Sequence, residues 1–166
     1  MASVRVTHHG LTSDEATKPP LRNPVEPGEY KVKIVRAEAS ITRSSPALTK
    51  VTVEFSIIHG IGEDGEAVDK EVGRRLFQDY ILDPDPNYPG LDEVRVYELR
   101  QMLDATHIEY TDEGFDTDHL NGLLVNVKVK HRKGKTPDED GRIPVFANVY
   151  HVDECADQSA DPNDFI

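Results

Sequence analysis

Residues 123–130 read Leu-Leu-Val-Asn-Val-Lys-Val-Lys. Leu123, Val125, Val127 and Val129 alternate with Leu124, Asn126, Lys128 and Lys130, the period of a half-buried strand. One face packs inward and the other offers cations to water. Just before it, Asp116 to Gly122 reads as one helical turn stopped by Gly122. Just after it, a loop from Arg132 to Pro144 returns the chain into Val145–Val152, another strand.

Upstream, three more stretches carry strand signals. Glu29 to Ala37 sets Tyr30, Val32 and Ile34 against Lys31 and Lys33. Leu48 to Ile58 sets Val51, Val53, Phe55 and Ile57 against Lys50, Thr52, Glu54 and Ser56. Arg74 to Leu82 follows an acidic, glycine-punctuated loop (59–73) and ends at Pro84, Pro86 and Pro89-Gly90. Between this third strand and the fourth lies one helix, about Asp92 to Ala105. Asp92 and Glu93 suit its N-terminal dipole, and Val96, Leu99 and Leu103, with Met102 beside them, form an apolar stripe. Three strands, a helix and two strands is the element order of a five-stranded OB-fold-like barrel. The expected class is all-β with one main helix, the barrel spanning 29–152. Residues 1–28 read as a flexible arm, with Pro19-Pro20, Pro24 and Pro27-Gly28. Residues 153–166 read as a disordered acidic tail.

That tail, DECADQSADPNDFI, holds five acids and no Lys or Arg, and ends in the apolar pair Phe165-Ile166. Such a run cannot bury enough apolar surface to fold alone. The chain's net charge is −12, of which the tail supplies five charges, leaving residues 1–152 at −7. This argues against long-range capture of nucleic acid, yet leaves room for a local basic surface, because salt screens charges beyond about 8 Å. No run of about 18 apolar residues predicts a membrane span. Met1 to Arg5 lacks the apolar stretch of a signal peptide. The lone Cys155 excludes an internal disulfide and fits a cytoplasmic protein.

The cations are clustered. Lys128, Lys130, Arg132, Lys133 and Lys135 run off the fourth predicted strand, Arg74 and Arg75 open the third, and Lys31 and Lys33 lie on the first. Aromatic side chains accompany them: Phe77 and Tyr80 after the arginine pair, Phe146 and Tyr150 on the strand after the basic loop. Single-stranded nucleic acid needs flat apolar surfaces for bases beside cations for phosphates. The core claims Phe55 and one of Phe77 and Tyr80. An enzyme is not expected. The stretch from Asp83 to Asn87 starts like a calcium loop, but Tyr88 and Val94 stand where that loop needs glycine and glutamate. The histidines lack metal-ligand spacing, and no nucleophile or phosphate-loop signature appears. Neither a metal nor a cofactor is implied.

The stretches PGEYKVKI (27–34), GRRLFQDYIL (73–82), LRQMLDA (99–105) and LNGLLVNVKVKHRKGK (120–135), with the acidic tail, resemble the OB-fold single-stranded-DNA-binding proteins of bacteria and tailed bacteriophages. In layout these stretches look like the small phage proteins of replication and recombination clusters. The resemblance covers about residues 27–152 plus the tail. It implies sequence-independent binding of single-stranded DNA in replication, recombination and repair. It also implies an acidic tail that competes with DNA and recruits replication or recombination enzymes through Asp157, Asp161, Asp164, Phe165 and Ile166. Ile166 departs from that family, whose tip ends in Phe. Homo-oligomers are compatible with the resemblance, and the implied location is the host cytoplasm. Two rivals come from other classes. An acidic DNA mimic that blocks a nuclease or restriction enzyme fits the charge of −12 but has no use for the cations of 128–135. A structural virion assembly module would use the tail as a docking peptide.

Overall fold

In a computed structural model the described residues are 23–62 and 66–155, together with residues 3 and 5. They are mostly β, with one main helix packed on an antiparallel sheet. In chain order the strands are β1 (Gly28–Ile41), β2 (Thr49–Ile61), β3 (Ala67–Val68), β4 (Arg75–Ile81), β5 (Tyr110–Thr111), β6 (Gly114–Phe115), β7 (Leu124–Lys133) and β8 (Val145–Glu154). The helix α1 (Asp92–Thr106) lies between β4 and β5, and a short 3-10 turn (Thr117–Leu120) precedes β7.

The sheet runs β3-β2-β1-β7-β8, and β4 pairs with β2 beyond the stretch that β3 occupies. Every ladder is antiparallel. The two outer strands, β4 and β8, approach one another across the molecule but exchange no ladder hydrogen bonds. Two irregularities in the β1–β2 ladder, one leaving Ile58 of β2 and the other Val35 of β1 unpaired, bend this long pair. The alternation read from the sequence places the core: Val32, Ile34, Val51, Val53, Phe55, Ile57, Val125 and Val127 are almost wholly shielded, with Met102 and Leu120 closing over them.

Some boundaries differ from the sequence reading. β8 runs two residues further, so Asp153 and Glu154 are strand, and Cys155 beyond them is buried. Residues 156–166 lie outside the described residues, as do Asp157, Asp161, Asp164, Phe165 and Ile166. At the other end, residues 23–27 are tied to the body. Val25 is buried, and its carbonyl accepts from His131 Nε2 at 2.8 Å. The Tyr30 hydroxyl donates to the Glu26 carbonyl at 2.6 Å, and Lys70 pairs with the Glu26 carboxylate at 2.7 Å. The helix also departs from its expected stripe. Met102 and Leu103 are buried and Leu99 packs against the core, but Val96 is half exposed. No helix among the described residues is long and apolar enough to cross a membrane.

Candidate functional site

Alternation along β4 decides which groups reach solvent. Leu76 and Tyr80 point into the core, so Phe77, of opposite parity, points out and is 54% exposed. Tyr80 is therefore a core residue rather than a stacking platform. Its hydroxyl is pushed well above the usual tyrosine range, chiefly by burial and secondarily by Glu98. The same parity separates the arginine pair. Arg75 is exposed beside Phe77, whereas Arg74 is committed. Arg74 donates to the Glu71 carboxylate at 2.6 Å and to the Asn23 carbonyl at 2.6 Å.

On the other side, β7 and β8 pair so that Arg132 lies opposite Phe146 and Lys130 opposite Asn148. An irregularity at Lys128/Val129 leaves Tyr150 as the extra residue on β8. This resets the alternation, so Val149 and Val152 point in while Phe146, Asn148 and Tyr150 share the outer face. The Arg132 guanidinium sits 5.7 Å from the centre of the Phe146 ring and Lys130 Nζ 5.1 Å from that of Tyr150, both cation–π distances.

Because β4 and β8 do not pair, the space between them is a groove. It holds about 370 Å³ and is walled by Arg75 and Phe77 on one side and Arg132, Phe146 and Asn148 on the other. Leu76 and Ala147 contribute to its lining, and so do Pro24 and Val25, in a segment held by Arg74 at the Asn23 carbonyl and by His131 at the Val25 carbonyl. Lys133 and Lys135 are exposed where β7 leaves the sheet. No carboxylate among the described residues is ion-paired with Arg75, Lys130, Arg132, Lys133 or Lys135. Elsewhere on the outer face cations are neutralised, Lys50 by Asp79 at 3.2 Å and Arg36 by Glu54 at 3.5 Å.

Three sequence candidates stand apart from this groove. Lys128 faces Glu29 across the β1–β7 ladder, their charged atoms 3.6 Å apart, so part of its charge is already answered. Lys33 is half buried on β1. Lys31 is buried at 7% exposure, although its parity is opposite to that of the core residues Tyr30, Val32 and Ile34. It is not available to phosphate.

Lys31 instead faces His59 across the β1–β2 ladder. Burial holds the His59 imidazole below its ordinary value of 6.5, and the Lys31 charge adds to the effect. The folded protein therefore resists protonating His59 more than the unfolded chain does. The stability tied to this group is complete above the ordinary value and is lost as pH falls through the lowered one. Acidification from pH 7 to 5 is expected to lower the urea midpoint, and His59→Gln to make that fall shallower. Equal slopes for the two proteins would remove His59 from the account.

No protein-family model matches the chain, and no curated protein matches it.

Proposed function

We propose that this protein binds single-stranded DNA without regard to sequence, in the replication, recombination and repair of a tailed bacteriophage genome. The observation that carries the proposal is the groove between β4 and β8, where exposed Phe77 and Phe146 stand among the unneutralised cations Arg75 and Arg132. Lys130 and Tyr150 continue the same pairing of charge and ring along the outer face of β7 and β8. Stacking holds a base by its flat face, which every base has, and cations hold phosphates, so neither contact reads sequence. A duplex keeps its base faces covered and has nothing to offer Phe77 and Phe146.

The fold we propose for this task is a partly open OB-type barrel. Its support is the strand order β4-β2-β1-β7-β8, the approach of β4 to β8 and the placement of α1 between the third and fourth long strands. In the same proposal the acidic segment beyond Cys155 competes with DNA for the cations, and Phe165-Ile166 recruits replication or recombination enzymes.

The test is fluorescence anisotropy of a labelled single strand of about 30 nucleotides, at 50 and 200 mM salt, with duplex as control. Neutralising about five phosphates gives a slope of roughly −3.5 for log affinity against log salt, hence about a 100-fold loss over this range. A chain ending at Cys155 is expected to bind more tightly than the full chain at the lower salt. Absence of binding at 50 mM by both chains would refute the proposal.

A further inference from the structure

The β4–β8 groove has one polar side chain in its lining that is not a cation. Arg74, Arg75 and Arg132 can only donate hydrogen bonds, and the rest of the lining is apolar except for Asn148. The Asn148 carboxamide thus carries the one side-chain acceptor of that lining, next to its own N–H donors. Asn148 is half-buried on the outer face of β8, opposite Lys130 in the β7–β8 register. Phe146 lies two residues before it on the same face, about 6.5 Å along the strand. The carboxamide is also uncommitted. Asn87 donates to the Ser45 carbonyl at 3.1 Å, whereas the Asn148 side chain hydrogen-bonds to no described residue. With no partner to fix it, the amide can turn over and exchange its donor and acceptor.

That freedom suits an unpaired base. A base lying flat on Phe146 presents its edge sideways, toward the next residue of the same face. In a single strand the Watson–Crick edge is open to such a contact. On that edge every base sets an N–H donor beside an acceptor: N6–H and N1 in adenine, N4–H and N3 in cytosine, N3–H and O4 in thymine, N1–H and O6 in guanine. A carboxamide matches each of them in one orientation or the other. A guanidinium or an ammonium, having donors alone, answers the acceptor and leaves the N–H unmet.

We infer that Asn148 is a specificity-determining residue of this groove: it hydrogen-bonds the Watson–Crick edge of the base stacked on Phe146, whichever base that is. The inference rests on the single-strand reading and adds to it a contact with the base edge. Duplex is then refused for a second reason, because its edges are already paired.

The test is anisotropy at about 50 mM salt with three labelled strands of equal length: thymidine throughout, N3-methylthymidine throughout, and alternating deoxyguanosine and thymidine. Methylation at N3 removes the donor from the thymine edge and leaves the ring faces and phosphates in place. The parent is expected to bind the thymidine and alternating strands alike, and the methylated strand about 5-fold or more weakly. Asn148→Leu should bind the thymidine strand and its methylated form alike. Asn148→Asp offers two acceptors, which suit the adjacent N1–H and N2–H of guanine and oppose the two oxygens flanking N3–H of thymine. It should prefer the alternating strand by about 5-fold or more, whatever its added charge does to affinity as a whole. The Asn148 side chain bonds to nothing in the described fold, so urea midpoints of both variants should stay near that of the parent, and the parent's response to methylation is read without any variant. A parent that binds the thymidine strand tightly and ignores methylation overturns the inference and leaves the proposed function standing. So does a methylation penalty undiminished in Asn148→Leu, or an Asn148→Asp protein without preference. A parent that binds none of the strands overturns both.

Discussion

Replacing Phe77 and Phe146 together by alanine is expected to weaken single-strand binding by about 2–6 kcal/mol, at least about 30-fold, while leaving the salt slope unchanged. Each ring offers a stacking surface, and each is close to half exposed, so little core packing is lost with it. The cations that set the slope stay in place. Arg132→Ala with Lys133→Ala is the complementary change: it flattens the slope by about 0.7 for each phosphate contact removed. Anisotropy titrations over the same salt range read both effects. Tyr80→Ala serves as the contrast, because that ring is 5% exposed and its loss damages the fold before the groove. If the double alanine protein binds as tightly as the parent, the β4–β8 groove is not where bases sit.

The largest effect on stability is expected from Arg74. Its guanidinium answers the Glu71 carboxylate, whose side chain is only 7% exposed, and holds the Asn23 carbonyl as well. Arg74→Met leaves a shielded carboxylate without its cation, a change worth about 3–5 kcal/mol when one partner of a buried pair is removed. Glu71→Met in addition removes the stranded charge, so the double variant should recover much of the loss. Urea unfolding of the parent, the two single variants and the double variant gives the coupling directly. A loss below about 1 kcal/mol for Arg74→Met would mean that water reaches Glu71 well enough to replace the arginine.

Much of the scaffold was legible because its signals are local. The valines at 125, 127 and 129 announce β7, and the acids at 92 and 93 announce the start of α1. One further signal was present and undervalued. Arg74, Leu76 and Tyr80 share a parity, so they belong to one face, and Arg75 and Phe77 must take the other. That alone separates the structural arginine from the exposed one and the core tyrosine from the surface phenylalanine. Lys31 was not legible in this way, since it has the parity of an outward residue and is shielded only by its three-dimensional surroundings. Lys128 needed the β1–β7 register, which sets Glu29 opposite it. Reading Val96 required knowing how far a six-residue hairpin, Tyr110 to Phe115, could cover a helix. The groove is the least local feature of all. Arg75 and Phe77 meet Arg132 and Phe146 only because the sheet brings two outer strands face to face.

The unpaired seam between β4 and β8 has a mechanical meaning. Where strands are laced by backbone hydrogen bonds, their spacing is fixed near 4.8 Å. Here the clearance is set by side chains, which can change rotamer at little cost. If bases sit there as proposed, a purine and a pyrimidine ask the same small accommodation of the walls. Under the proposed function, indifference to base identity comes from a row of stitches the sheet never makes.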